Sequence, residues 1–234
     1  MFQQSIGNTF FYLIIQVPIM LILAILLAQL LNNKHLKLRG LFRTCVFLPC
    51  ATSLVSYSLI FRSMFATDGL INSILMKLGI LHSGYNFLGH SGSAKAVIIL
   101  ALIWRWTGYN MVFYLAGLQN IEYSVYEAAK IDGANDREIL FKIKIPMVMP
   151  SVTICTFLTL TNSFKLFDQN VALTAGEPAN ASEMLALNIY NTFYGRSGAQ
   201  WKGIGQAKAV VFFLIVVVIS LIQLHFTRSK EVQQ

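Results

Sequence analysis

Five long apolar stretches constrain this chain more than any other feature. They run over residues 10–31, 41–61, 94–118, 147–167 and 207–226. A helix rises about 1.5 Å per residue, so about 20 residues cross the roughly 30 Å hydrocarbon layer of a bilayer. A transmembrane strand would need only about ten residues, alternating between apolar and polar. The stretch AKAVVFFLIVVVISLIQLHF at 207–226 does not alternate. The expected class is therefore all-α, a polytopic transmembrane helix bundle of about five spans. Composition agrees, because 12% of the 234 residues are charged, about half of the roughly 25% usual in a soluble domain. Pro18 and Pro49 lie inside the first two stretches, where proline commonly kinks a helix.

The net charge of +8 would suggest nucleic-acid binding in a soluble protein. Here the basic residues stand beside apolar stretches, with no basic stripe and no nucleic-acid motif. They read instead as topology signals and contacts to anionic lipid, so no nucleic-acid partner is expected. No Lys or Arg precedes the first stretch, whereas Lys34, Lys37, Arg39 and Arg43 follow it. That asymmetry places the N-terminus outside and this loop in the cytoplasm. Five spans then leave the tail with Arg228 and Lys230 in the cytoplasm, together with the loop 119–146, which carries Lys130, Arg137, Lys142 and Lys144. Lys77, Arg196 and Lys202 fall outside, in longer loops where the rule counts less. The start lacks the basic region and the small-residue cleavage site of a signal peptide.

Reactive chemistry is sparse. Cys45, Cys50 and Cys155 form no CxxC pair and read as small packing residues. His35, His82, His90 and His225 are scattered, with no HExxH. No metal site, disulfide framework or bound cofactor is expected. No GxSxG and no intramembrane carboxylate pair points to an enzyme. No acidic residue lies in any stretch to carry coupling ions, which argues against a secondary transporter.

One segment is unlike its surroundings. Residues 126–138, YEAAKIDGANDRE, are charged and alanine-rich between two apolar stretches. Ser124 and Glu127 have the spacing of a capping box, and EAAK supplies strong helix formers. Gly133 can adopt the left-handed conformation that ends a helix. Asn135 to Glu138 repeats the start signal, and the second helix is expected to stop before Pro146. Val125, Ala128 and Ala129 form a shallow apolar face on the first helix, and Ile139, Leu140 and Ile143 a bulkier one on the second. Helices of about eight residues are marginal alone, so the pair needs a surface, either its own bundle or another protein.

The segment EAAKIDGANDREILFKIKIP resembles the EAA loop of permease subunits in binding-protein-dependent ABC importers. That family's pattern is EAA, three residues, Gly, nine residues, then Ile-x-Leu-Pro. Here Glu127, Ala128, Ala129 and Gly133 match, as do Ile143 and Pro146, with Ile145 in place of the usual leucine. AGLQNI before the loop, FDQNVALTAGEP after it and NTFFYLII near the start resemble the carbohydrate-importing branch. The resemblance thus covers nearly all of residues 1–234, read as one transmembrane domain. The branch usually has proline where Glu122 stands. It also usually has six spans with both termini inside, so this chain is expected to lack the first helix. The resemblance implies a multi-pass subunit of a bacterial-type inner membrane that imports a sugar, an oligosaccharide on the likeness around FKLFDQN. It implies four kinds of neighbour: a second homologous permease, an ATP-binding subunit dimer, an external sugar-binding protein and the bilayer. Glu127 would anchor the loop to the ATPase, Ala128 and Ala129 would allow close approach, and Gly133 would make the turn. The chain has no GxxxxGK[ST] loop and is not expected to hydrolyse ATP. The alternatives are a membrane scaffold whose loop docks another protein, or an importer of a non-sugar solute.

A substrate path has candidates on two spans. Trp104, Arg105, Tyr109 and Asn110 combine aromatic faces with a charge that should face the bundle interior or water. Thr156, Thr159 and Asn162 belong to a run rich in Ser and Thr that suits either a wet path or interhelical packing. Lys165 and Asp168 are expected at the interface, and residues 182–194 as a helix with Leu185, Ile189, Tyr190 and Phe193 on one face.

Overall fold

The computed structural model describes residues 2–33 and 36–228. The topology charges Lys34 and Lys230 lie outside the described residues, as does His35. The chain is a helix bundle. Helix α1 (Phe2–Leu31) is followed by α2 (Arg39–Ala51), α3 (Leu54–Met64), α4 (Leu70–Lys77), α5 (Ser91–Gln119) and α6 (Tyr123–Ile131). Then come a short α7 (Asp136–Glu138), a π-helical segment Ile139–Lys144, α8 (Ile145–Phe164), α9 (Phe167–Leu173), α10 (Leu185–Phe193) and α11 (Ala199–Arg228). Among the described residues, four helices are long and apolar enough to cross a membrane: α1, α5, α11 and the rod Ile139–Phe164. The bent pair α2–α3 makes a fifth span if counted as one.

The second span, expected at 41–61, is this bent pair. The helix breaks after Ala51 and turns by 97°. Thr52 and Ser53 are extended, with ψ of 148° and 138°. Thr52 closes the end of α2, its amide and its hydroxyl both donating to the Pro49 carbonyl at 3.3 and 2.6 Å. A side chain thus satisfies a terminal carbonyl that would be costly if left open. Helix α1 runs through Pro18 and begins eight residues before its apolar stretch. The added turns hold Ser5, Asn8 and Thr9, all buried.

Helix α5 is central. It packs along α1 and against α2, α3, α8 and α9. One core joins Tyr12, Tyr57, Phe61, Ile98 and Leu102, and a second joins Ala24, Ala28, Met111, Tyr114 and Cys155. At Gly108, α2 lies so close that a Cβ would collide with the Val46 carbonyl. Helix α11 packs on α8 and α10 but leaves Val210, Phe213, Leu214, Leu221 and Phe226 exposed, as a lipid- or partner-facing helix must.

The expected helix in 182–194 forms as α10, but of the expected face only Leu185 is fully buried. Leu185, Leu187, Asn188 and Thr192 point inward, while Tyr190 is 46% exposed. The reason is a polar network around Glu183, a carboxylate only 3% exposed. It accepts hydrogen bonds from Ser5 Oγ at 3.2 Å, Asn188 Nδ2 at 2.8 Å and Asn191 Nδ2 at 2.9 Å. Asn8 Nδ2 donates to the Glu183 carbonyl at 3.0 Å. Lys208 Nζ donates to Asn188 Oδ1 at 2.8 Å and Thr192 Oγ1 at 2.7 Å. The network ties α1, α10 and α11 together, and it draws the polar side of α10 inward.

Candidate functional site

The charged loop forms a helix-turn-helix with one capping signal misplaced. Helix α6 starts at Tyr123, and its N-cap is Glu122, without a side-chain cap. Val125 N–H already closes the first turn on the Glu122 carbonyl at 3.2 Å. Ser124 is therefore inside the helix and donates to Glu122 Oε2 at 3.2 Å, so the expected Ser124–Glu127 box does not form. The C-terminal end follows its glycine. Gly133 has φ of +80°, the Ala134 amide donates to the Ala129 carbonyl at 2.9 Å, and the Gly133 amide donates to the Lys130 carbonyl at 3.1 Å. This is a Schellman motif. The second box is reciprocal: Glu138 N–H donates to Asn135 Oδ1 at 2.9 Å, and Asn135 N–H to Glu138 Oε2 at 3.1 Å. A hydrogen bond from Lys142 at 2.9 Å, with that from Asn135 and the lysine's charge, holds the Glu138 carboxyl below the ordinary glutamate range.

The stop expected at Pro146 is absent. Ile145 is helical at φ −62°, ψ −49°, and its amide donates to Leu140, five residues back. Proline lacks the amide that a helix needs, and its ring crowds the preceding turn. The wider π turn takes up that mismatch. The second loop helix and the fourth span are consequently one rod.

The apolar face drawn through Val125, Ala128 and Ala129 is divided by the fold. Val125 packs on the bundle and Ala129 is 8% exposed, whereas Glu127 and Ala128 face outward. Beside them Ile131 is 86%, Phe141 61% and Tyr123 59% exposed. Sequence reasoning missed these three. Tyr123, Glu127 and Ile131 stand four residues apart, which puts them on one helical face, and that spacing was a usable signal. Ile139 is buried, while Ile143 and Pro146 are half-buried along the rod.

A second feature is a cavity of about 210 Å³ among α1, α5, α8 and α9. Helix α1 contributes Gln16 and Met20, and α5 contributes Trp106, Tyr109 and Asn110. Thr159, Asn162 and Ser163 come from α8, and Lys165, Leu166, Asp168 and Gln169 close one end. Of the expected path residues, Tyr109, Asn110, Thr159 and Asn162 are brought together here. Lys165 and Asp168 line the cavity too, and are more than interface residues.

Three path residues are elsewhere. Trp104 packs 5.5 Å from Phe61 and 6.3 Å from Tyr57, ring centre to ring centre. Arg105 is 8% exposed and inside the bundle. Its guanidinium lies 4.6 Å from the Tyr57 ring centre and 5.5 Å from that of Trp106, beside the cavity and not in its wall. Thr156 Oγ1 donates to the Val152 carbonyl at 2.7 Å, so its hydroxyl is used within its own helix. Gln16, Met20 and Gln169 were not anticipated. Gln16 had a signal, being the one amide between Thr9 and Ala28 of α1.

Comparison with known proteins bears on the family and the fold. The model of the family described as binding-protein-dependent transport system inner membrane component matches residues 4–232. The chain is 42% identical over 233 residues to the lactose transport system permease protein LacF of Rhizobium radiobacter, covering 98% of this chain and 77% of that protein. It is 36% identical over 231 residues to the arabinooligosaccharides transport system permease protein AraP of Halalkalibacterium halodurans, with 97% and 71% covered. A chain of a bacterial alginate ABC transporter, solved in complex with an alginate pentasaccharide-bound periplasmic protein, has the same fold. It superposes with a TM-score of 0.86 at 23% identity, over 97% of this chain and 78% of that one.

Proposed function

This chain belongs to the inner membrane components of binding-protein-dependent transport systems, and on that premise we propose that it conducts a sugar through an ATP-driven importer. Its partners in this reading are a second homologous permease, a dimer of ATP-binding subunits and an extracytoplasmic sugar-binding protein. Relatives named for lactose and arabinooligosaccharides support a sugar, an oligosaccharide in particular. The basic loop 119–146 and the C-terminal tail face the cytoplasm, following the Lys and Arg asymmetry.

One observation carries the mechanism. The rod that starts at the loop's second helix also supplies Thr159, Asn162 and Ser163 to the cavity. From Glu138 to Asn162 it is about 36 Å long at 1.5 Å per residue. A displacement of the loop thus reaches the cavity wall through a continuous helix. Glu127, Ala128 and Ile131 are exposed on the adjoining helix, where the ATP-binding subunit would seat. Glu127 offers a charged anchor, Ala128 lets a partner backbone approach, and the Gly133 turn holds the two helices at a set angle. Ala129 and Pro146 serve the same lever from within, one packing α6 on the bundle and the other lying in the rod.

Glu127→Lys and Gly133→Pro test this in the assembled transporter. The first reverses the anchor's charge. The second puts a residue fixed near φ of about −65° where φ is +80°. Both should leave insertion and basal ATP hydrolysis intact while uptake falls about tenfold or more, within the usual range of coupling energies. Normal uptake by both variants would overturn the lever.

A further inference from the structure

The polar groups around the cavity fall into two kinds, those the bundle already satisfies and those it leaves open. Asn110 and Thr159 are of the first kind. Thr159 Oγ1 donates to Asn110 Oδ1 at 3.0 Å, and Asn110 Nδ2 donates to the Trp106 carbonyl at 3.2 Å. The first of these bonds clamps α5 to α8, and the second lies within α5. Gln16 is of the second kind. Its side chain is 1% exposed, and its Nε2 donates to Ser163 Oγ at 3.2 Å. Its Oε1 is buried and has no hydrogen-bond partner among the described residues. Gln16 lines the cavity wall.

An unpaired amide oxygen is costly inside a membrane bundle, where no bulk water relieves it. Residues 10–28 of α1 are otherwise apolar apart from Tyr12, so a leucine at position 16 would avoid that cost. The open oxygen is accounted for if a solute in the cavity supplies the missing donor. Resting on the reading of this chain as a sugar permease, we propose that Gln16 reads a hydroxyl group of the transported sugar. Its Oε1 accepts the hydrogen bond, and the bond to Ser163 sets the direction in which the amide points. The neutral acceptor suits a hydroxyl donor and disfavours a carboxylate at that position. Met20 and Trp106 stand in the same wall and offer apolar surface to the C–H face of a sugar ring.

The test uses the whole transporter with its ATPase, partner permease and binding protein. Radiolabelled lactose, arabinotriose and maltotriose are offered in turn, and the sugar that the wild type carries is then offered as singly deoxygenated analogues. Gln16→Leu should raise the uptake KM about tenfold with its maximum rate and membrane level unchanged. This is the size of effect expected when one hydrogen bond to a substrate hydroxyl is lost. One deoxy analogue should be penalised about tenfold by the wild type and not at all by Gln16→Leu, because the same bond is already gone. Ser163→Ala keeps the acceptor, so the pattern across analogues should persist with a smaller rise in KM. Two results would overturn the proposal. In one, KM does not change in Gln16→Leu. In the other, that variant loses stability and maximum rate while every analogue keeps its wild-type penalty, which would make the amide a structural link. Failure of the wild type to carry any of the sugars would remove the sugar reading itself, and this inference with it.

Discussion

Replacing Glu183 with leucine should loosen the junction of α1, α10 and α11 by an amount the structure allows us to work out. The carboxylate accepts from Ser5, Asn188 and Asn191. Asn191 is exposed and can turn to water, whereas Ser5 and Asn188 are buried. A buried donor that loses its acceptor costs about 1–3 kcal/mol, so the two together cost about 2–6 kcal/mol. Asn188 also receives Lys208, so the loss reaches the base of α11. Ser5 and Asn188 both bond the same oxygen, Oε2, so Glu183→Gln, which keeps one acceptor oxygen, can hold both buried donors and should cost well under half as much. Thermal unfolding of the purified protein in detergent measures this. At about 2–4 °C per kcal/mol for a chain of this size, the leucine variant should melt about 4–24 °C below wild type. Two results would refute the reasoning: an unchanged Tm, or a glutamine variant as damaged as the leucine one. Either would mean that the carboxylate's acceptor capacity does not hold the junction.

Two further outcomes follow from local geometry. Gly108→Ala would drive a methyl group into the Val46 carbonyl and to within 3.0 Å of Phe47 Cα. It should cost about 1–3 kcal/mol through overpacking, and a Tm equal to wild type would show that α2 can shift freely. Glu138 has its carboxyl held below the ordinary glutamate range by Lys142 and Asn135. A lowered folded-state pKa adds stability that is complete above the unfolded value, near ~4.3, and is lost as the pH falls through the folded value. An NMR titration of the Glu138 carboxyl carbon should therefore place its midpoint below that of a model glutamate, and a midpoint at or above it would contradict the reciprocal box.

The bundle was legible because lipid leaves few choices. A backbone in hydrocarbon must satisfy itself, so long apolar stretches had to be helices, and four of the five are unbroken. The turn at Gly133 and the Asn135–Glu138 box were legible for a similar reason, since each depends on residues at most five apart. The two local errors came from signals that were real but outranked. Ser124 had the right spacing for a cap, yet the chain closes its first turn two residues earlier, on Glu122. Pro146 had the right chemistry for a stop, yet one π turn carries the helix past it.

The lever and the cavity stand differently with respect to sequence. The spacing of Glu127, Ala128, Ala129 and Gly133 identifies the loop without any coordinates, because it is a short local pattern. The inward polar face of α10 and the placement of Arg105 beside the cavity come from neighbours far away in the chain. The same holds for the cavity's chemistry. Asn110 and Thr159 read as path residues in the sequence, but the fold sets them 3.0 Å apart and pairs them with each other, and it puts Gln16, which the sequence reading passed over, in the wall. A residue's type states how many hydrogen bonds it can make, but only the packing of distant helices decides how many are already taken.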